Sequence, residues 1–303
     1  MNLALIVAVF PWVLLSSPTG DASDALRNVA AQRQALRSGI VDFSWVERVN
    51  GSETLRFDAE GAFGQDNRYR LSIRNHSRYR GTPTERRDPQ CIQIADGGTL
   101  LGMMYSEATQ RFFVDDVQDA RLTLFHPLAL GLFAYPQALS DPESIYFWRG
   151  AKTSLADGAH TAGGERVVRV EGEGRSGKFK ADLTIDPARG WNVTGYTASV
   201  GEGYELEVRS ALGKFGDFWF PARVWARTTF PGGRVVEIEV QVRKAEFAID
   251  LPEHAFAFAA LGPPADGAPK AAVLDYRTGG GGLGGWDGRR LQTAPGRSLF
   301  PQP

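Results

Sequence analysis

The sequence predicts a mainly β protein with a few helices, in which a strongly curved antiparallel sheet forms a half-open barrel with a helical plug or lid. Segments that alternate apolar and polar residues recur along most of the chain, which is the period of half-buried strands. The apolar stretch "TLFHPLALGLFAYPQAL" lacks that period and favours one or two short helices. About 11 strand candidates are too many for a flat open sheet, so we expect the sheet to curl.

The first predicted element is a helix in "DASDALRNVAAQRQALRSG", for which Gly39 suits the C-terminal end. Its apolar residues fall on or near one stripe: Ala22, Ala25, Leu26, Val29 and Leu36. Alternation then predicts an up-and-down meander of three strands, and the Asn-Gly pair in "VNGSE" predicts its first hairpin turn. Strand signals return in "CIQIA", "TLLGMMYS" and "RFFVD".

Further strand candidates follow from residue 165 onward, and the last of them has the clearest alternation in the chain. In that strand Val236, Ile238 and Val240 point one way, while Glu237 and Glu239 point the other. One apolar and one polar face per strand is typical of an antiparallel sheet whose outer face meets water. We therefore expect the apolar face to form the inside of the curved sheet.

Three short motifs resemble reactive or ligand-binding sites but fit turns or loops better. Asp186 stands beside Pro187 and Gly190 between two strand candidates, which predicts a hairpin corner and not a reactive carboxylate beside Arg189. "GEGRSGKF" lacks both the hydroxyl residue and the helix that a phosphate-binding loop requires, so a hairpin turn is expected. "DDVQD" follows a strand, where a solvated loop is expected instead of a metal site.

Composition disfavours several classes of function. The chain of 303 residues has a formal net charge of −1, which disfavours a nucleic-acid partner held by overall charge. Cys91 is the only cysteine, and the four histidines lie far apart, so neither supplies the spacing of a metal site. No serine or cysteine stands in a recognisable nucleophile motif. We therefore expect no cofactor, no metal and no enzymatic activity.

The two ends of the chain differ from its middle. Residues 1–22 resemble a signal peptide, which predicts an exported protein, periplasmic or secreted and peripheral to a membrane at most. Residues 23–260 form the predicted curved-sheet domain. Residues 261–303 are rich in Gly and Pro, which predicts a flexible tail that folding does not need. In the alternative, four apolar residues of this tail dock as a short edge segment: Val273, Leu274, Tyr276 and Trp286.

Two motifs of the second half bear a family resemblance. Ile185-Asp186-Pro187 ends one strand, and Trp219-Phe220-Pro221 lies in a later one. With "LPEHAFAF" near the end of the domain, they resemble the bacterial outer-membrane lipoprotein-sorting (LolA-like) family. The resemblance covers roughly residues 22 to 260. It implies a half-open barrel with helices over an apolar concavity that accepts acyl chains, and regulatory members of the family sense lipoproteins and hold a partner protein.

The predicted function is that of a non-enzymatic binding protein whose apolar concavity takes lipid or lipoprotein acyl chains. Ten residues on the apolar side of their strands make up the predicted ligand-binding face: Phe43, Trp45, Phe57, Tyr69, Leu71, Tyr204, Leu206, Val236, Ile238 and Val240. Three alternatives stay open: an ordinary core filled by the central helices, an envelope sensor with a protein partner, and an envelope-polymer hydrolase.

An anion patch is predicted on the outside of the sheet. Arg68, Arg70 and Arg74 share the outer face of one strand, within a stretch that is rich in arginine. Guanidinium groups suit a lipid head group or a polysaccharide at the rim of the concavity. The alternative is a solvated face that discourages edge pairing.

Overall fold

A computed structural model describes the following residues: 21–65, 68–86, 88–96, 99–106, 109–116, 126–132, 151–160, 164–174, 177–201, 203–261, 271–275, 282–286 and 291–293. Almost all of the predicted signal peptide and most of the central apolar stretch lie outside these residues. The described part of that stretch contains one short 3₁₀ turn, Pro127–Ala129.

Within the described residues the chain forms one α-helix and a single sheet of 16 strands. The helix is α1 (Ala22–Ala35). The strands are β1 (Gly39–Val49), β2 (Ser52–Phe63), β3 (Tyr69–Arg74), β4 (Cys91–Asp96), β5 (Thr99–Ser106), β6 (Thr109–Asp116), β7 (Lys152–His160), β8 (Arg166–Gly174), β9 (Gly177–Asp186), β10 (Asn192–Val200), β11 (Tyr204–Phe215), β12 (Phe218–Thr229), β13 (Val235–Phe247), β14 (Ala271–Asp275), β15 (Gly282–Trp286) and β16 (Leu291–Thr293).

The strands lie in the order β16-β15-β14-β6-β5-β4-β3-β2-β1-β13-β12-β11-β10-β9-β8-β7, so the sheet is not closed into a barrel. Two meanders, β1–β6 and β7–β13, meet where β1 pairs with β13. The prediction of a wholly antiparallel sheet is wrong at one place, because β14 pairs with β6 in parallel. A parallel pair requires a crossover, and the described part of this connection includes Phe258–Leu261, which contacts β4 and β5.

The predicted hairpin turns are confirmed. Asn50 and Gly51 both have positive φ, 49° and 81°, as a two-residue turn between β1 and β2 requires. Asp186 accepts a hydrogen bond from the backbone N–H of Arg189 at 3.1 Å, which fixes the corner between β9 and β10. Gly174 faces Gly177 across the hairpin of β8 and β9, where the sequence resembled a phosphate-binding loop.

The first helix begins at Ala22 because the side chain of Asp21 accepts a hydrogen bond from the backbone N–H of Asp24 at 2.9 Å, which caps the N-terminus. Its apolar stripe packs into the main hydrophobic core, as the spacing predicted, with Ala25 and Val29 almost fully buried. The helix contacts β7, β8 and β10. We call the face of the sheet that it covers the inner face.

A second segment, His126–Leu132, also lies on the inner face and shows how strongly the sheet curves. Pro127 touches β2 so closely that a β-carbon at Gly61 would overlap its ring. A β-carbon at Gly131 would lie 2.7 Å from the hydroxyl oxygen of Ser210 in β11. Four residues of chain reach at most about 14 Å, whereas a flat sheet would separate β2 from β11 by about 19 Å. The sheet therefore bends around this segment, which we call the bridging segment.

Strands β4 to β6 are buried on both faces. Cys91 and Phe113 belong to the inner core, while Ile94 and Phe112 belong to a second cluster on the outer face. The 3₁₀ turn Phe258–Leu261 and Val273 of β14 cover this second cluster. The described parts of the predicted flexible tail, β14, β15 and β16, extend the sheet, and the domain boundary near residue 260 stays a prediction.

No helix within the described residues is long and apolar enough to cross a membrane.

Candidate functional site

The ten residues of the predicted ligand-binding face all lie in one apolar cluster on the inner face. Nine are almost fully buried, and Tyr204 is partly buried against the same cluster. They come from β1, β2, β3, β11 and β13, so strands far apart in sequence meet here because the sheet curves. α1 and the bridging segment cover part of this face. The face is thus closely packed wherever the structure describes its cover.

Arg33 is the charged residue that the sequence analysis missed on this face. It extends from α1 and is 1% exposed. Its Nη2 donates a hydrogen bond to the carbonyl oxygen of Leu130 at 3.1 Å, and its guanidinium lies 4.9 Å from the ring centre of Phe220. A buried guanidinium needs such partners because its desolvation is costly. A signal was present, since Arg33 stands four residues after Val29 and three before Leu36 on the apolar stripe.

His126 anchors the other end of the bridging segment. Its ring packs against Phe63 and Tyr69, with centres 5.5 Å and 5.2 Å away. Nδ1 accepts a hydrogen bond from the backbone N–H of Leu128 at 3.1 Å. Burial lowers the pKa of His126 to about 3, since a charged imidazole would lose its water here. The ring is therefore neutral near pH 7 and supports the segment without carrying charge.

Aromatic rings form a row along the β1–β2 part of the inner face. Trp45 stacks on Phe57 with ring centres 5.8 Å apart, and Phe57 stacks on His76 at 6.1 Å. Tyr79, in the loop after β3, continues the row at 4.9 Å from His76. Burial lowers the pKa of His76 to about 4, with a further contribution from Arg78. This row links the apolar face to the arginine-rich loop.

The three arginines of the predicted anion patch each have a separate partner. Arg74 donates to Asp42 at 2.8 Å and is neutralised by that carboxylate. Arg70 donates to the hydroxyl of Ser72 at 3.2 Å. Arg68 donates to a backbone carbonyl and lies 5.7 Å from the ring centre of Phe256. The structure does not gather the three guanidinium groups around one shared position.

A charged cluster occupies the outer face around Arg243. Its guanidinium donates to Asp42 and to Asp58, each at 2.5 Å. Partial burial tends to raise the pKa of Asp58, but hydrogen bonds from Asn75 and Arg243 outweigh it and hold that pKa below its usual range. The cluster borders a polar hollow of about 460 Å³. Asp42 and Asp58 are both paired with arginine, which suits a structural link between β1, β2, β3 and β13.

A second polar hollow, of about 500 Å³, lies on the outer face of β9 to β12. Its acidic groups include Asp182 and Glu207. Arg169 donates two hydrogen bonds to Asp182, at 2.8 Å and 3.0 Å, and holds the pKa of that carboxyl below its usual range. Glu207 is paired with Arg209 at 2.5 Å. Because its pKa is held low, Asp182 is a poor proton donor near neutral pH.

Comparison with known proteins finds similar solved structures but no matching sequence family. No protein-family model matches the chain, and no curated protein matches it. Similar solved structures include a LolA superfamily protein from Nitrosomonas europaea, 14% identical, with a TM-score of 0.47 over 78% of this chain and 98% of that one. An outer membrane lipoprotein-sorting protein domain from Vibrio parahaemolyticus is 11% identical, with a TM-score of 0.42 over 78% and 97% of the two chains.

A DUF1329 family protein from Desulfovibrio piger is also similar, at 11% identity, with a TM-score of 0.43 over 79% of this chain and 98% of that one. These likenesses concern the fold alone.

Proposed function

We propose that the chain is a non-enzymatic binding protein of the cell envelope, whose inner face takes up an acyl chain when the bridging segment moves. The observation that carries the proposal is the attachment of this segment. It lies on the apolar face of the sheet, and a buried hydrogen bond from Arg33 to the Leu130 carbonyl fastens it to α1. A cover fastened by a polar contact above an apolar face is suited to opening and closing.

The chemistry of the inner face supports an apolar ligand. The bridging segment packs in one cluster with aromatic and aliphatic side chains of the inner face, among them Phe43, Trp45 and Leu71. Each methylene group moved from water into such surroundings contributes about 0.8 kcal/mol. An acyl chain with about ten buried carbons would therefore gain about 8 kcal/mol, which corresponds to micromolar binding before the cost of association is subtracted.

The geometry of the bridging segment supports its role as a cover. Pro127–Ala129 form a single 3₁₀ turn, which is too short to be stable without its neighbours. Gly131 follows with a φ of +79°, a conformation that glycine adopts without strain. A short turn that ends at a glycine can change its path at little cost in the rest of the fold.

A disulfide lock tests the proposal. A β-carbon at Gly131 would lie 3.7 Å from Cβ of Ser210, a separation that suits a disulfide. The double variant Gly131→Cys/Ser210→Cys would then tie the bridging segment to β11 when oxidised. Cysteine at Gly131 adds roughly 1 kcal/mol of backbone strain, which the fold should tolerate. The natural Cys91 should stay unreactive, because burial raises the pKa of its thiol to about 12.

The readout is displacement of a fluorescent fatty acid at micromolar concentration. We expect the wild type and the reduced double variant to bind it, and the oxidised variant to lose most of that binding. The single variant Gly131→Cys, treated with the same oxidant, is the control. If the wild type binds no fatty acid, the proposed function is wrong; if the oxidised variant binds as well as the reduced one, the bridging segment is not the cover. Native mass spectrometry of protein from its own host would identify the ligand.

A further inference from the structure

Among the buried polar atoms of the inner face, two belong to residues on adjacent strands. The hydroxyl of Tyr69 and Oε1 of Gln93 are both enclosed, and neither has a hydrogen-bond partner among the described residues. Tyr69 is 0% exposed and Gln93 is 5% exposed. Leaving such a group unpaired costs roughly 1–3 kcal/mol, so nearly all buried polar atoms in proteins have a partner. Two of them on one face indicate a place where a polar group of a ligand belongs.

The two side chains are neighbours in the sheet. Tyr69 of β3 pairs with Ala95 of β4, and Gln93 stands two residues before Ala95 on the same strand. Residues in this diagonal relation point to the same face and lie close enough for long side chains to meet one ligand. Tyr69 also contacts the ring of His126, so the pair lies directly beside the bridging segment.

The two atoms have complementary hydrogen-bonding roles. A phenol hydroxyl donates to an oxygen, and an amide oxygen accepts from an N–H or O–H group. Burial raises the pKa of Tyr69 well above its usual value, so its hydroxyl keeps its proton and remains a donor. Since the proposed acyl ligand reaches this face, its own polar group must match one donor and one acceptor. A secondary amide offers a carbonyl oxygen and an N–H on adjacent atoms.

We propose that Tyr69 and Gln93 form a polar subsite that recognises the amide group of an N-acyl ligand. Tyr69 donates to the carbonyl oxygen, and Gln93 accepts from the amide N–H. An ester of the same length satisfies Tyr69 alone, because it has no N–H. The inference rests on the proposed function and adds the chemical class of the ligand to it.

The test compares two probes of equal length, N-methyldodecanamide and methyl dodecanoate, in the same displacement assay. We expect the wild type to bind the amide about tenfold more tightly than the ester, the effect of one hydrogen bond to a buried group. Tyr69→Phe should weaken both probes, since both carry a carbonyl oxygen. Gln93→Leu should weaken only the amide and reduce its affinity to that of the ester. Tyr79→Phe removes a hydroxyl in the loop after β3 and is the matched control, with no expected change.

A stability measurement separates a ligand subsite from a structural role. Without ligand, Tyr69→Phe should unfold at the same temperature as the wild type or higher, because it removes an unpaired buried hydroxyl. Lower stability with unchanged affinities would overturn the subsite, and so would equal binding of amide and ester by the wild type. Failure of the wild type to bind either probe would instead contradict the proposed function itself.

Discussion

The buried guanidinium of Arg33 holds the carbonyl oxygen of Leu130 at 3.1 Å, and this bond joins two segments 97 residues apart. It connects the first helix to the bridging segment across the inner face. Removing the donor leaves the buried carbonyl oxygen of Leu130 without this partner. The loss should destabilise the bridging segment by roughly 1–3 kcal/mol.

Arg33→Met should therefore loosen the bridging segment while the sheet stays folded. Methionine fills much of the same apolar space but cannot donate. We expect the amides of Ala129, Leu130 and Leu132 to exchange hydrogen about tenfold faster, measured by mass spectrometry. Arg27→Met, at an exposed position of the same helix, is the control. Equal exchange in both variants would show that Arg33 does not fasten the segment.

Val273 tests whether β14 stabilises the protein. Its side chain is fully buried and packs in the outer cluster with Phe112 of β6. We expect Val273→Ala to lower the free energy of unfolding by about 2 kcal/mol, and deletion of residues 262–303 to lower it further. Leu155→Ala, at a side chain that is 41% exposed, should have little effect. An unchanged melting temperature after the deletion would support the flexible tail instead.

The charged cluster around Arg243 should contribute more stability than an ordinary surface pair. Arg243 bonds two carboxylates that are less than a quarter exposed, so its loss leaves Asp58 without an arginine partner and Asp42 with Arg74 alone. Arg243→Met should lower the free energy of unfolding by about 1–2 kcal/mol. Arg209→Met breaks a pair whose arginine is 72% exposed and should cost less than about 0.5 kcal/mol. Urea denaturation of both variants decides between these outcomes.

The buried histidines predict a loss of stability in mild acid. The pKa of His126 is about 3 in the folded protein and about 6.5 in the unfolded chain. The unfolded chain therefore binds the proton first, and stability is lost as the pH falls below 6.5. At pH 5 the loss from His126 alone is about 2 kcal/mol. His76, with a pKa of about 4, acts in the same direction.

His126→Asn should reduce this pH dependence, since asparagine still accepts the Leu128 N–H but does not titrate. The measurement is the free energy of unfolding at pH 7 and pH 5. Carboxylates such as Asp58, whose pKa lies below its usual value, lose their contribution to the free energy of unfolding only at lower pH. They therefore add little to the difference between pH 7 and pH 5. A variant as sensitive as the wild type would show that His126 is not the responsible group.

The strands and the first helix were predictable because their signals are local. The alternation of Val236, Ile238 and Val240 is matched by their burial in β13, and the stripe of α1 packs as its spacing indicated. The double-sided burial of β4 to β6 had a signal too. The nearly continuous apolar run of β5, from Leu100 to Tyr105, is typical of a strand covered on both faces.

The docking of the C-terminal segment could not be settled from its composition. Glycine and proline favour a flexible chain in isolation. The position of Val273, however, is stabilised by packing in one cluster with Ile94 and Phe112, which lie far away in sequence. The position of Arg33 is a similar case, because an arginine on an apolar stripe identifies no partner. The bond to Leu130 depends on the curvature of the whole sheet.

The junction of β1 with β13 has a consequence for how the protein acquires its fold. A hydrogen bond from Arg243 to the carbonyl of Phe43 spans 200 residues, and the whole junction pairs the beginning of the domain with its end. The two meanders consist of neighbouring strands and can form early, whereas this junction must close a very long loop. Until it does, each meander presents an unpaired edge to other chains. The nascent chain is therefore most prone to aggregation just before β13, which pairs with β1, is synthesised.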